Sequence, residues 1–168
     1  MNPDATVERN EVSMRRGVRA FSRTAARAAR NRAGLTQADA AAIIGVTDGI
    51  VSAWESGTRA PGPRNLVALA TSLGVDAAEL INLADDDRRL ADIRAISGLS
   101  GGDVAERLEI SATSLYDVER GDQRPSAQLQ ARLAALYGVG EGVIEDAWVR
   151  SRSARLAAIP AHHHKPPT

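Results

Sequence analysis

Arginine is the residue with most chemistry to offer here: eight of them (Arg9, Arg15, Arg16, Arg19, Arg23, Arg27, Arg30, Arg32) fall within the first 34 residues, against Asp4, Glu8 and Glu11. A guanidinium is a planar fork of donors that is always charged, so a local net charge of +5 suits phosphate oxygens. The same arginines also fit the solvated face of a basic helix, and the two readings stay open. His162, His163 and His164 are the remaining candidates for ligation. They have neither a cysteine nor a spaced second pair beside them, so no structural metal and no cofactor is expected. Asp85, Asp86 and Asp87 read as a solvated linker and helix start. No nucleophile paired with a base, no glycine loop for phosphate and no HExxH-type site is present, so an enzyme is not expected.

Charge is segregated along the chain although its net value is +0. Residues 35–84 sum to −3 and residues 85–149 to −6, with seven arginines against 13 carboxylates; Arg150, Arg152, Arg155 and Lys165 make the tail +4. DNA responds to such local fields. The 168 residues allow one ordinary domain or two small ones. Apolar residues make up 43% but aromatics only 3%, which favours closely packed helices over a sheet. The absence of cysteine suits a reducing compartment. No apolar run approaches the roughly 20 residues that span a bilayer, and the N-terminus lacks the apolar stretch of a signal peptide, so a cytoplasmic protein with no membrane contact is expected.

The elements that must position these groups come from an internal repeat at an offset of 64 residues. Gly34-Leu35-Thr36 falls on Gly98-Leu99-Ser100, Val46-Thr47 on Ile110-Ser111, Glu55 on Glu119, Gly57 on Gly121, Pro61 on Pro125, Leu69-Ala70 on Leu133-Ala134 and Gly74-Val75 on Gly138-Val139. Matches at glycine and proline mark backbone conformation as well as hydrophobicity. Two copies of one helical domain follow, over about 24–84 and 88–148. Within the first, Val18, Phe21, Ala25 and Ala28 share a face of a helix ending near Gly34. Thr36 with Asp39 makes a capping-box-like start for a short second helix to Ile44, closed by Gly45. Thr47 caps a third helix from Asp48 to about Ser56, with Val51 and Trp54 pointing inward. Pro63 opens a fourth, carrying Leu66, Leu69, Ala70 and Leu73, and Ala77–Leu83 forms a fifth.

Two short helices separated by so small a gap are the helix-turn-helix signature. Arg30, Gly34-Leu35-Thr36-Gln37, Ala41, Gly45-Val46-Thr47, Val51, Trp54-Glu55, Gly57, Pro61, Leu66, Leu69-Ala70 and Leu73-Gly74-Val75 closely resemble the Cro and phage-repressor family, the XRE type. Residues Arg94, Gly98-Leu99-Ser100, Ala105, Ile110-Ser111, Leu115, Glu119, Gly121, Pro125, Leu133-Ala134 and Gly138-Val139 resemble it more loosely. The resemblance implies an all-α fold of two tandem five-helix, lambda-repressor-like domains. The expected layout is an N-terminal arm over 1–17, a DNA-binding domain over 18–84, a divergent second domain over 85–149 and a basic tail over 150–168 that begins as a short helix.

In that family the third helix enters the major groove, while the start of the second helix and the loop after the third hold phosphates. By position, Gln37 would bind a phosphate, Thr47, Asp48, Gly49, Ser52 and Ala53 would line the base-facing start of the third helix, and Thr58 and Arg59 would touch backbone. Gly49 offers no side chain to a base, and Asp48 repels phosphate although it can accept from a cytosine amine. Arg15, Arg16, Arg19 and Arg23 are therefore expected to add phosphate or minor-groove contacts. Arg30 with Glu55, and Arg94 with Glu119, resemble the family's structural ion pair between helices one and three.

In the second copy Gly101 replaces Gln37, and the segment's negative field disfavours DNA. That copy reads either as a dimerisation or partner-binding domain, which we adopt, or as a second reader relying on Thr113, Ser114 and Arg124. The resulting expectation is a bacterial or phage transcriptional regulator, more specifically a repressor, that binds double-stranded DNA and pairs as a homodimer or with a protein partner. The alternatives are a monomer reading a long asymmetric site with both domains, or an antitoxin-like or RNA-polymerase-associated interaction module.

Overall fold

Helix α1 (Arg23–Arg32) starts at Ser22, whose hydroxyl accepts the Ala25 amide at 3.2 Å, in the computed structural model, which describes residues 17–159. It turns Ala26 and Ala29 into the core, each 2% exposed, and leaves Ala28 outside. The expected face of Val18, Phe21, Ala25 and Ala28 is thus corrected. Ala20 sits at φ 57°, a left-handed conformation that breaks any helix running in from Val18. Residues 17–22 instead pack as a strap: the Val18 amide donates to the Pro61 carbonyl at 2.8 Å, and Phe21 forms an isolated antiparallel bridge with Ile81.

Helix α2 (Gln37–Ile44) begins with the expected capping box. The Asp39 amide donates to the Thr36 hydroxyl at 3.1 Å, and the Thr36 amide donates to Asp39 Oδ2 at 2.9 Å. The Thr36 hydroxyl, which donates to Asp39 Oδ2 at 2.6 Å, and then the Thr36 amide hold the Asp39 carboxyl below its usual range. After Gly45 and Val46 comes α3 (Asp48–Ser56). Thr47 occupies its N-cap position without a side-chain bond to the helix; Asp48 Oδ1 accepts the Gly49 amide at 2.8 Å instead. Helix α4 (Pro63–Leu73) opens with proline at its first position, where no amide donor is needed. The fifth element is a single 3-10 turn, Ala77–Leu80, shorter than the expected Ala77–Leu83, because the chain turns extended at Ile81 to bridge Phe21. Leu66, Val51, Trp54, Leu69, Leu80 and Ala41 form the centre of this core. Full burial of a side chain such as Leu66 contributes about 1.5–3 kcal/mol.

A 3-10 turn at Asp85–Asp87 precedes α5 (Leu90–Ile96), where buried Asp92 accepts the Arg89 amide at 2.8 Å. Helices α6 (Gly101–Arg107), α7 (Ala112–Arg120) and α8 (Ala127–Tyr137) follow in the repeat's register. Ser111 and Ser126 cap α7 and α8 through their hydroxyls. The final helix, α9 (Glu141–Ala157), is 17 residues long. The basic stretch from Arg150 therefore does not start a helix of its own but continues one that already buries Ile144 and Ala147. Leu90, Val104, Val118, Leu133, Ile144 and Ala147 are the most deeply buried apolar residues of this part.

The packing divides the described residues into two units, one running to Leu83 and including Arg94–Ser100, the other comprising Ala84–Ile93 and the described residues from Gly101 onward. No sheet is present among the described residues, and no helix there is long and apolar enough to cross a membrane. Arg15, Arg16 and the tail with His162, His163, His164 and Lys165 lie outside the described residues.

Candidate nucleic-acid interface

Helix α3 is amphipathic in the way a groove-reading helix requires. Val51 and Trp54 are 1% and 3% exposed and fix its inner side, as their spacing predicted, while Thr47, Asp48, Gly49 and Ser52 stand exposed and Ala53 is half-buried. Thr58 and Arg59, on the loop that follows, are exposed as well, and the Arg59 amide donates to the Ala53 carbonyl at 3.2 Å. The Thr58 and Ser56 hydroxyls are 2.9 Å apart. The expected base-facing and loop residues therefore share one end and one continuation of a single helix.

Glu55 is the anchor beneath that surface. Arg30 donates from Nε to Glu55 Oε1 at 2.6 Å and from Nη2 to Oε2 at 3.0 Å, the forked geometry that makes an arginine–carboxylate pair specific. Its third donor, Nη1, goes to the Leu35 carbonyl at 2.7 Å. Burial pushes the Glu55 carboxyl up, but the bonds from Arg30 and Gln37, the Arg30 charge and a bond from Arg27 outweigh it, and the carboxyl titrates below its ordinary value. The hydrogen bond to Glu55 correspondingly raises the Arg30 guanidinium.

Gln37, expected at a phosphate, is half-buried and donates from Nε2 to Glu55 Oε2 at 2.9 Å. Arg23, expected in the basic arm, donates from Nη1 to the Ser56 carbonyl at 2.8 Å while remaining exposed. Arg19 is exposed in the strap before α1. Sequence reasoning missed Arg27, whose Nη2 donates to the Glu55 carbonyl at 3.2 Å and whose Nε is 3.4 Å from Glu55 Oε2. The signal was available: 23, 27 and 30 are spaced by four and three, the spacing of one helical stripe.

The second unit is equipped differently. Thr113 is exposed on α7, and Ser114 is half-buried with its hydroxyl 2.8 Å from that of Ser111. Arg124 pairs with Glu145 at 2.5 Å and lies 5.4 Å over the Trp148 ring, so its guanidinium ties the loop after α7 to α9. Arg155 reaches Asp122 at 2.9 Å, Arg152 donates to the Gly121 carbonyl at 3.0 Å, and the Trp148 indole donates to the Gln123 carbonyl at 2.9 Å. Val118 is buried at the position matching Trp54. In the second copy of the repeat, though packed with the first unit, Arg94 of α5 donates to the Leu99 carbonyl at 2.9 Å, repeating the bond from Arg30 to Leu35; Glu119 is on α7 and half-buried.

Comparison with known proteins bears on this arrangement. Residues 27–80 match a helix-turn-helix family model, of the XRE type, and residues 88–147 match a helix-turn-helix domain model. No curated protein and no solved structure matches the chain. With one such domain on each copy of the repeat, and the two matches together covering more than half its length, the chain belongs to the helix-turn-helix family of DNA-binding proteins, as a tandem of two domains.

Proposed function

We propose that this protein is a sequence-specific transcriptional regulator acting as a repressor, with α3 laid in the major groove. It acts by occupying DNA and not by catalysis. The observation that carries this reading is the polarity of α3: its inner side is buried through Val51 and Trp54, and Asp48, Gly49 and Ser52 on its outer side near the N-terminal end are exposed. Thr58, Arg59 and Gln37, at the start of α2, would touch the backbone beside it, and Arg15, Arg16 and Arg19 would add cationic contacts. Gly49 has no side chain, so recognition here leans on contacts from Ser52 and Asp48 and on groove shape.

The second domain serves association, either with another copy of the chain or with a protein partner. What supports this is the engagement of Arg124 by Glu145 and Trp148, together with the exposure of Tyr116 on α7, at 57%. A cytoplasmic setting in a bacterium or phage fits a cysteine-free repressor. Labelled duplexes recovered by the full-length protein from a random pool, titrated at low ionic strength and then against rising salt, test the function. A selected duplex should bind far more tightly than a scrambled one, with affinity falling linearly on a logarithmic salt axis. No affinity for any duplex at low salt would sink the reading. The exposed Asp48 and the bare Gly49 would then favour an interaction module of the antitoxin or polymerase-associated kind.

A further inference from the structure

Three arginines of α1 converge on one end of α3. Arg23 takes the Ser56 carbonyl, Arg27 takes the Glu55 carbonyl, and Arg30 takes the Glu55 carboxylate. The last carbonyls of a helix have no intrahelical partner and carry the negative end of its dipole, so cations are favoured there. At the other end Thr47 makes no side-chain cap, Asp48 accepts the neighbouring Gly49 amide, and the helix is held by the packing of Ile50 and Val51. The arginine bonds to α3 thus gather at its C-terminal end, where they add a polar restraint to the packing of Val51 and Trp54.

We propose that Arg23 and Arg27 are positioning residues that set the angle at which α3 offers Asp48, Gly49 and Ser52 to base edges, and so govern sequence discrimination more than phosphate affinity. This rests on α3 being the DNA-reading helix. Nine residues at 1.5 Å rise make a lever of about 13 Å, so a tilt of about 5° at the clamped end moves the reading end by about 1 Å. Hydrogen bonds to base edges do not tolerate such a shift, whereas the diffuse attraction of phosphates does.

Two further features agree. Gly57, at φ 81°, lets Arg23 come close: a Cβ there would lie 2.7 Å from Arg23 Nη1. The second copy has Asp87 and Ala91 at the positions of Arg23 and Arg27, and its reading-helix counterpart is held by a guanidinium from elsewhere, Arg152 of α9, on the Gly121 carbonyl. Each unit supplies an arginine to the same end of the corresponding helix from a different element.

The test compares wild type with Arg27→Ala, Arg27→Lys and Arg23→Ala, using a duplex selected from a random pool and its scrambled counterpart. Melting temperature establishes that each variant is folded, as expected for side chains this exposed. A clamp predicts that Arg27→Ala loses about tenfold in affinity for the selected duplex, stays within about twofold on the scrambled one and keeps the salt slope. Lysine, which retains the charge but not the fork, would not restore discrimination. A uniform loss on both duplexes, with a slope smaller by about one and full rescue by lysine, would overturn the proposal in favour of a phosphate contact. Hydrogen exchange of the α3 amides without DNA separates the two ideas: faster exchange around Trp54–Gly57 in Arg27→Ala supports the clamp even if no duplex binds, and unchanged protection in both alanine variants refutes it.

Discussion

Arg30 and Glu55 are joined by two short hydrogen bonds between α1 and α3, with the Glu55 side chain only 3% exposed and that of Arg30 12%. A pair this sequestered behaves unlike a surface ion pair. Losing one partner strands the other's charge out of reach of water. Arg30→Ala is therefore expected to destabilise the first unit by about 3–5 kcal/mol. Arg27→Ala, whose side chain is 56% exposed, should cost under about 1 kcal/mol. Urea denaturation of both variants would show the contrast; equal losses would contradict it.

Acid should act through the same carboxylate. Because Glu55 titrates below its unfolded value, near 4.5, its contribution is fully present above that pH and disappears as pH falls through the lower folded value. Wild-type stability should thus fall more steeply than that of Glu55→Gln below about pH 4.5. Parallel curves from pH 6 to 3 would argue against the assignment.

Gly57 and Gly121 occupy the same place in the repeat but should not tolerate alanine equally. Both have left-handed φ, 81° and 77°, which costs a residue with a side chain about 1–2 kcal/mol. At Gly57 the added carbon meets the mobile tip of Arg23; at Gly121 it would lie 2.4 Å from Arg152 Cα, in the backbone of α9. Gly121→Ala is expected to be the more damaging, by at least about 1 kcal/mol more in thermal or urea unfolding.

Asp48 places a negative charge on the face assigned to DNA. Asp48→Asn should strengthen binding to any duplex by roughly twofold to fivefold near 0.1 M salt, an advantage that shrinks as salt rises. Anisotropy titrations at two salt concentrations decide it, and weaker binding by the variant would place Asp48 on a base amine instead.

Much of the fold was legible because its signals are local. The capping pair Thr36 and Asp39, the proline at the start of α4 and the inward spacing of Val51 and Trp54 each state a backbone or packing requirement within a few residues. The start of α1 was not legible. Val18 and Phe21 fit a helical period yet are held by backbone bonds to Pro61 and Ile81, residues some 40 to 60 positions away, with Ala20 left-handed between them. The site divided the same way. The exposed residues of α3 follow from its period, but nothing local in the sequence shows that Gln37 and Arg23 also donate to Glu55 and to the Ser56 carbonyl. Counting charge along the chain also misled. Residues 85–149 and the tail were tallied apart, whereas α9 runs through that border and carries Arg152 and Arg155 back to Gly121 and Asp122.

That unbroken passage of α9 through the end of the repeat sets where the second module can be cut. A fragment trimmed at Trp148, where the sequence periodicity stops, would lose about two and a half turns of α9, strip Arg152 and Arg155 from the loop behind α7 and leave Leu90 without the Ser151 hydroxyl near its amide. The smallest excisable piece of this half is thus longer than the duplicated segment, and only a fragment reaching Ala157 keeps its own fastenings.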